Sequence, residues 1–152
     1  MQDAVGPAAY AEREDKPELT LDGRPLIVPM RVESEATVAA EDADPRGMTV
    51  IGADGRSGGT VQDLWIDRSE PQIRYLEVSV ADGRSVLLPM TLAVIHGAKR
   101  QVKVSSVLGA QVAGAPAIAS PDQVTKLEED RICAYFASGH LYATPARQEP
   151  LL

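Results

Sequence analysis

The chain has 152 residues, 44% of them hydrophobic and 24% charged, a length that favours one domain and lets folding bury roughly 68–70% of the unfolded chain's surface. This composition disfavours disordered, collagen-like and coiled-coil architectures. Fifteen Lys and Arg against 22 Asp and Glu leave a net charge of −7, the wrong sign for affinity that comes from neutralising phosphates, so nucleic acid is disfavoured as the main partner.

The charge is lopsided: residues 1–45 hold 11 acids and 4 bases, whereas 46–152 hold 11 of each. Residues 1–45 therefore read as an irregular acidic lead-in packed on the rest of the chain, with a short helical turn near Ala8–Arg13 and a strand at Leu26–Val32. A hairpin is expected next. Met48–Ile51 and Thr60–Asp67 are its strands around the Asp54–Gly59 turn, and alternation places Val61, Asp63, Trp65 and Asp67 on one face and Gln62, Leu64 and Ile66 on the other. A second hairpin spans about 74–89, where Leu76, Val78 and Val80 alternate with Glu77 and Ser79, and Asp82-Gly83 supplies residues tolerant of a two-residue turn. Further strands are expected at Leu92–His96 and Gln101–Val104, with a turn-rich stretch from Gly109 to Ser120 after them. Ser120, Pro121 and Gln123 form a capping-box pattern that opens a helix over Pro121–Ala137, about four turns ending at Gly139, with Val124, Leu127, Arg131 and Ala134/Tyr135 on its apolar stripe. No internal repeat is evident. The fold class is mainly β: a small barrel over 46–119, whose closure removes exposed sheet edges, then a helix and tail over 120–152, in one cooperative domain.

The rare residues narrow the chemistry. Cys133 is the one cysteine, and the two histidines, His96 and His140, lie 44 positions apart, so neither an intrachain disulfide nor a histidine-dominated metal centre is available to one protomer. Gly-x-Ser-x-Gly, the P-loop, Gly-x-Gly-x-x-Gly and His-Glu-x-x-His are missing. Gly52–Gly59 reads as a hairpin loop and not a phosphate cradle, because strand-like sequence comes after it. Cys133 reads as a small packed side chain, His140 as a cap at the helix C-terminus, and His96 as a lead into a turn. The start lacks a secretory signal, and no run of 18 apolar residues appears, the longest uncharged stretch being Val104 to Pro121. The carboxylates remain. Asp67, Glu70 and Arg74 cluster at the end of the Trp65 strand and in its connection to the next. Two such acids raise each other's proton affinity while Arg68 and Arg74 lower it; spacing alone favours a solvated loop with incidental charges over any function.

Nine segments together resemble a known family: Asp3-Ala-Val-Gly-Pro-Ala-Ala-Tyr-Ala-Glu-Arg13, Val28-Pro-Met-Arg-Val32, Asp44-Pro-Arg-Gly47, Leu64-Trp-Ile-Asp67, Arg74-Tyr-Leu-Glu-Val78, Leu87-Leu-Pro-Met90, Ser120-Pro121, Lys126-Leu-Glu-Glu-Asp-Arg-Ile-Cys133 and Leu141-Tyr-Ala-Thr-Pro145. In this order they are similar to the cytoplasmic domain of the H subunit of the purple-bacterial photosynthetic reaction centre, a member of the PRC-barrel group. The family's N-terminal transmembrane helix is missing, which implies either a shortened chain or a separately encoded half.

The resemblance implies a PRC-type barrel in a non-enzymatic subunit at the cytoplasmic face of the photosynthetic membrane. Such a subunit caps the L and M subunits and supports proton transfer to the secondary quinone. It implies that this chain binds no cofactor directly, with quinone, bacteriochlorophyll and iron on the partner subunits, and that a split subunit has a separate transmembrane-helix segment as a further partner. Asp67, Glu70 and Arg74 match the family's polar region leading to the quinone. The surface histidines that some members carry after a motif like Leu21-Asp22-Gly23 are replaced here by Arg24-Pro25-Leu26, which implies proton entry through surface acids such as Asp22 and Asp122 or by another route. The alternative is a stand-alone PRC-barrel adaptor that docks on a protein partner, as in ribosome maturation.

Overall fold

The computed structural model describes residues 14–33, 43–70 and 72–142, the last four for their backbone alone. The turn expected at Ala8–Arg13 lies outside these. Among the described residues are seven strands, β1 (Ile27–Pro29), β2 (Thr49–Ile51), β3 (Ser57–Asp67), β4 (Gln72–Ser79), β5 (Ser85–Pro89), β6 (Val94–His96) and β7 (Gln101–Lys103), and one α-helix, α1 (Lys126–Tyr142). The strands form one sheet in the order β5-β4-β3-β2-β7-β6, with β1 beside the second half of β3. The expected mainly β class and every expected strand are present.

Closure is not. β5 and β6 end the sheet without pairing with each other. Covering replaces pairing at the β5 edge, where Val86, Leu87 and Leu88 are buried, α1 packs against the strand, and the Arg84 guanidinium donates to the Ala113 carbonyl at 3.0 Å. β6 is left as a three-residue edge, too short to template another chain effectively.

Three turns share one plan that the sequence reading missed. The word Asp-Gly-Arg occurs at 22–24, 54–56 and 82–84. Each time the glycine N–H bonds to the carbonyl three residues back, and the residue before the loop donates to the arginine carbonyl: Thr20 to Arg24 at 2.7 Å, Gly52 to Arg56 at 2.9 Å, Val80 to Arg84 at 2.9 Å. The glycines sit at φ 86°, 78° and 87°, the left-handed region in which glycine carries no steric cost. The turn at 81–83 therefore has three residues, not the two expected, with the glycine closing it as a bulge.

Strict alternation also fails along β3 and β4. The pairing runs Val61↔Val78, then Asp63↔Glu77, leaving Gln62 as an extra residue, and Trp65↔Tyr75, then Ile66↔Ile73, leaving Arg74 extra on the other strand. Paired residues share a face, so Val61 joins Leu64, Leu76 and Val78 on the inner side rather than lying with Asp63. Asp63, Trp65, Tyr75 and Glu77 occupy the opposite face. That face is also buried.

α1 starts five residues later than expected. Thr125 is its cap: the Glu128 N–H donates to Thr125 Oγ1 at 3.0 Å, and Glu128 Oε1 accepts from the Thr125 N–H at 2.9 Å, a complete capping box. The next open donors, the N–H groups of Lys126 and Leu127, bond to the carbonyls of Lys16 and Glu14, so the lead-in serves the helix terminus. Ser120 instead closes a local turn by accepting from the Asp122 N–H. The buried stripe is Glu129, Ile132 and Phe136, while Arg131 and Ala134, assigned to the apolar face by sequence, are exposed. The helix runs past Gly139 to Tyr142, placing His140 within its last turn; the His140 side chain lies outside the described residues.

Candidate functional site

The two bulges aim polar side chains at buried carboxylates, a common use of such irregularities. At the first, Glu77 Oε1 accepts from Arg31 Nη1 at 2.9 Å and from the Trp65 indole at 2.8 Å, while its other oxygen accepts from the extra residue, Gln62. Asp63, directly opposite, accepts from the same Arg31 Nη1 at 3.0 Å and from the Arg31 backbone N–H at 3.3 Å. The side chains of Asp63 and Glu77 are 8% and 6% exposed, that of Arg31 40%. One half-exposed guanidinium thus serves two buried carboxylates. Its other nitrogen donates to the Pro121 carbonyl and stands 3.8 Å from Asp122. A cleft of about 290 Å³ opens beside it, lined by Arg31, Glu77, Ser85, Ile118 and Pro121 among others.

The second bulge builds a parallel arrangement. Arg74 Nη1 lies 3.4 Å from Asp67 Oδ2, and Nη2 lies 3.7 Å from Glu129 Oε1 on α1. The Tyr75 hydroxyl donates to the same Glu129 oxygen at 2.6 Å. Asp67 Oδ1 accepts the backbone N–H groups of Ser69 at 2.7 Å and Glu70 at 3.1 Å, which fixes the carboxylate at the strand end. Burial, reinforced by the hydrogen bond to Glu129, drives the Tyr75 hydroxyl well above its ordinary value, so it remains a proton donor to that carboxylate.

Of the expected site residues, the structure brings Asp67 and Arg74 together. Glu70 is exposed and joins through its backbone N–H. Asp122 is exposed and belongs to the other cluster, beside Arg31. Asp22 sits in the first Asp-Gly-Arg turn, where the Thr20 hydroxyl lowers its proton affinity. Sequence reasoning missed Arg31, Asp63, Glu77 and Glu129 as members of these clusters. Alternation set Glu77 apart from Leu76 and Val78 and grouped Asp63 with Trp65 without marking that face as buried; the available signal was Trp65 itself, a residue that demands cover and a partner for its N–H.

Cys133 is exposed rather than packed. Although the residue is exposed, partial desolvation of its sulfur raises the thiol above its ordinary value, and Glu129 and Asp130 add to this, against a lowering by Tyr75 and Arg74; a thiol in that state is a poor nucleophile. His96 ends β6 and leads into a 3-10 turn over Gly97–Lys99, as expected. The hairpin loop is shorter than expected, spanning 52–56 because β3 already begins at Ser57, and its Asp54 accepts the Gly109 N–H at 3.0 Å. Among the described residues no three His, Cys, Asp or Glu side chains are grouped to hold a metal ion, and no helix is long and apolar enough to cross a membrane.

Two family models match the chain. Residues 38–111 match the PRC-barrel domain, and residues 1–32 match the photosynthetic reaction centre H-chain N-terminal region. Together the two matches are consistent with an H-subunit-like PRC-barrel domain. The H-chain match points to a structural subunit associated with the reaction-centre complex and its photosynthetic membrane. The PRC-barrel match contains β2 to β7, and the H-chain match contains β1 and Arg31. The Arg31 cluster is accordingly the seam between them: the H-chain region supplies the guanidinium and the barrel supplies Asp63 and Glu77.

Proposed function

We propose that this H-subunit-like domain caps the quinone-binding L and M subunits of a photosynthetic reaction centre at the cytoplasmic face and helps lead protons to the secondary quinone. The observation that carries this reading is the composition of the two clusters. Asp63 and Glu77 share Arg31, and Asp67 and Glu129 share Arg74, so each has one buried carboxylate more than it has guanidinium. A proton arriving at such a cluster cancels charge that is already buried, whereas at a neutral pair it breaks an ion pair. Asp67, with Glu70 at the same turn, receives protons on their way to the quinone. Asp122, exposed beside Arg31, is an entry point at the surface.

In this reading the chain catalyses nothing itself. Quinone, bacteriochlorophyll and iron belong to the partner subunits, and the chain is held at the membrane through those partners, including a separate transmembrane-helix segment where the subunit is split. Replacing Asp67 by Asn and Glu70 by Gln together in the assembled complex slows proton-coupled reduction of the secondary quinone. Unchanged kinetics across pH would remove the proton path. Co-purification with L and M tests the capping role; recovery with ribosomal particles instead would favour the adaptor alternative.

A further inference from the structure

The second cluster spans three elements. Asp67 ends β3, Arg74 is the bulged residue of β4, and Glu129 lies in the first turn of α1. Arg74 stands between the two acids with a different nitrogen toward each, at 3.4 Å to Asp67 and 3.7 Å to Glu129, both beyond the 2.7–2.9 Å of a fully formed charged hydrogen bond. Arg74 donates a long hydrogen bond to Asp67 while its second nitrogen is turned toward Glu129, so the guanidinium is divided between the two acids. Glu129 is held in place by the Tyr75 hydroxyl at 2.6 Å and by a helix whose Ile132 and Phe136 are fully buried.

We propose that Glu129 is a positioning residue for Asp67: by drawing the second nitrogen of Arg74 toward α1, it keeps the guanidinium from closing on Asp67 and leaves that carboxylate open to an incoming proton. The inference rests on the reading of Asp67 as a proton carrier and deepens it. Without the Glu129 charge, Arg74 swings wholly to Asp67 and covers the carboxylate oxygen that an incoming proton would meet. The other ionisable groups around the cluster are Arg68 and Glu70 on the β3–β4 turn, Tyr75 on β4, and Asp130 and Cys133 on α1. Glu129→Gln changes the charge of none of them.

Two measurements test this. In the full chain, nitrogen NMR reads rotation of the Arg74 guanidinium about its Nε–Cζ bond. Glu129→Gln is expected to slow that rotation severalfold as the guanidinium closes on Asp67, Asp67→Asn to speed it, and Glu129→Asp, which keeps the charge but withdraws it by one methylene, gives the same slowing should the Gln variant fold poorly. Rotation unchanged or faster in Glu129→Gln would overturn the proposal. In the assembled reaction centre, Glu129→Gln is expected to slow proton-coupled reduction of the secondary quinone severalfold and to displace its pH profile. A profile unmoved by Glu129→Gln, when Asp67→Asn does slow the reaction, also overturns it. If Asp67→Asn has no effect on the kinetics, the proton-carrier reading fails instead, and the NMR result still decides whether Glu129 shares Arg74.

Discussion

Replacing Arg31 by Met removes the one guanidinium between Asp63 and Glu77 while keeping most of the apolar stem. The variant loses hydrogen bonds of 3.0 Å to Asp63 and 2.9 Å to Glu77, together with the bond to the Pro121 carbonyl. Breaking a fully buried ion pair by removing one partner costs about 3–5 kcal/mol, because an uncompensated charge stays inside. Arg31 is 40% exposed, so water reaches the vacated position and the expected loss falls to about 2–3 kcal/mol. For a chain of this length that lowers the melting temperature by about 5–10 °C. Thermal and urea unfolding at pH 7 measure it, and an unchanged urea m-value confirms that the same folded state is being compared. Adding Asp63→Asn and Glu77→Gln removes the stranded charges while leaving acceptors for the Trp65 and Gln62 donors. The triple variant should recover at least half of the loss. A single-variant loss under about 1 kcal/mol, or a triple variant no more stable than the single, would refute the claim that these carboxylates are buried charges held by Arg31.

Three further outcomes are expected. Thr125→Ala, which removes the cap of α1, costs about 1 kcal/mol in urea unfolding, whereas Ser120→Ala, at the start expected from sequence, changes stability by only a few tenths. Gly83→Ala meets no atom within 4 Å but must hold φ +87° and loses about 1–2 kcal/mol, much of it regained in Gly83→Asn; Gly109→Ala would drive a Cβ to 2.4 Å from the Arg56 carbonyl oxygen and is expected to lose considerably more by the same assay. Cys133 alkylation by iodoacetamide at pH 8 runs slower than for a free thiol, because burial, with Glu129 and Asp130, raises its pKa and depletes the thiolate. Glu129→Gln removes one of the raising charges, so the reaction accelerates; a slower reaction in that variant would contradict the assigned sign.

The second hairpin was legible because two local signals agreed. Leu76, Val78 and Val80 alternate with polar residues, and Asp-Gly-Arg supplies the turn, giving strands over 72–89 where about 74–89 was expected. Helix α1 was legible in kind but not in register. The Ser120 pattern and the Thr125 pattern are both capping boxes, and what selects the second is the pairing of the Lys126 and Leu127 N–H groups with Lys16 and Glu14, more than a hundred residues away in sequence. The clusters were the least legible feature. Period-two reasoning sends Glu77 to solvent, and single-residue bulges at Gln62 and Arg74 leave no mark in composition. Asp67 and Arg74 emerged from sequence because they are close in the chain; Glu129, their third member, required the helix to be docked.

The Arg31 seam bears on how far the two matched regions can be taken as separate pieces. A barrel segment consisting of 46–119 alone would retain Asp63 and Glu77 with no guanidinium between them, would lose the β1 ladder along Trp65, Ile66 and Asp67, and would expose the face of Trp65 and Tyr75 that the rest of the chain buries. The lead-in in turn has no ladder of its own beyond the isolated bridge between Leu19 and Pro25 among its described residues. Its ordering depends on β3, on the buried carboxylates and on the first turn of α1. Each part therefore supplies what the other must bury or pair, which favours a single cooperative unit. It also places the excess carboxylates of both clusters where separate stretches of chain meet, so that a proton or a docking surface acting on one stretch is felt by the others.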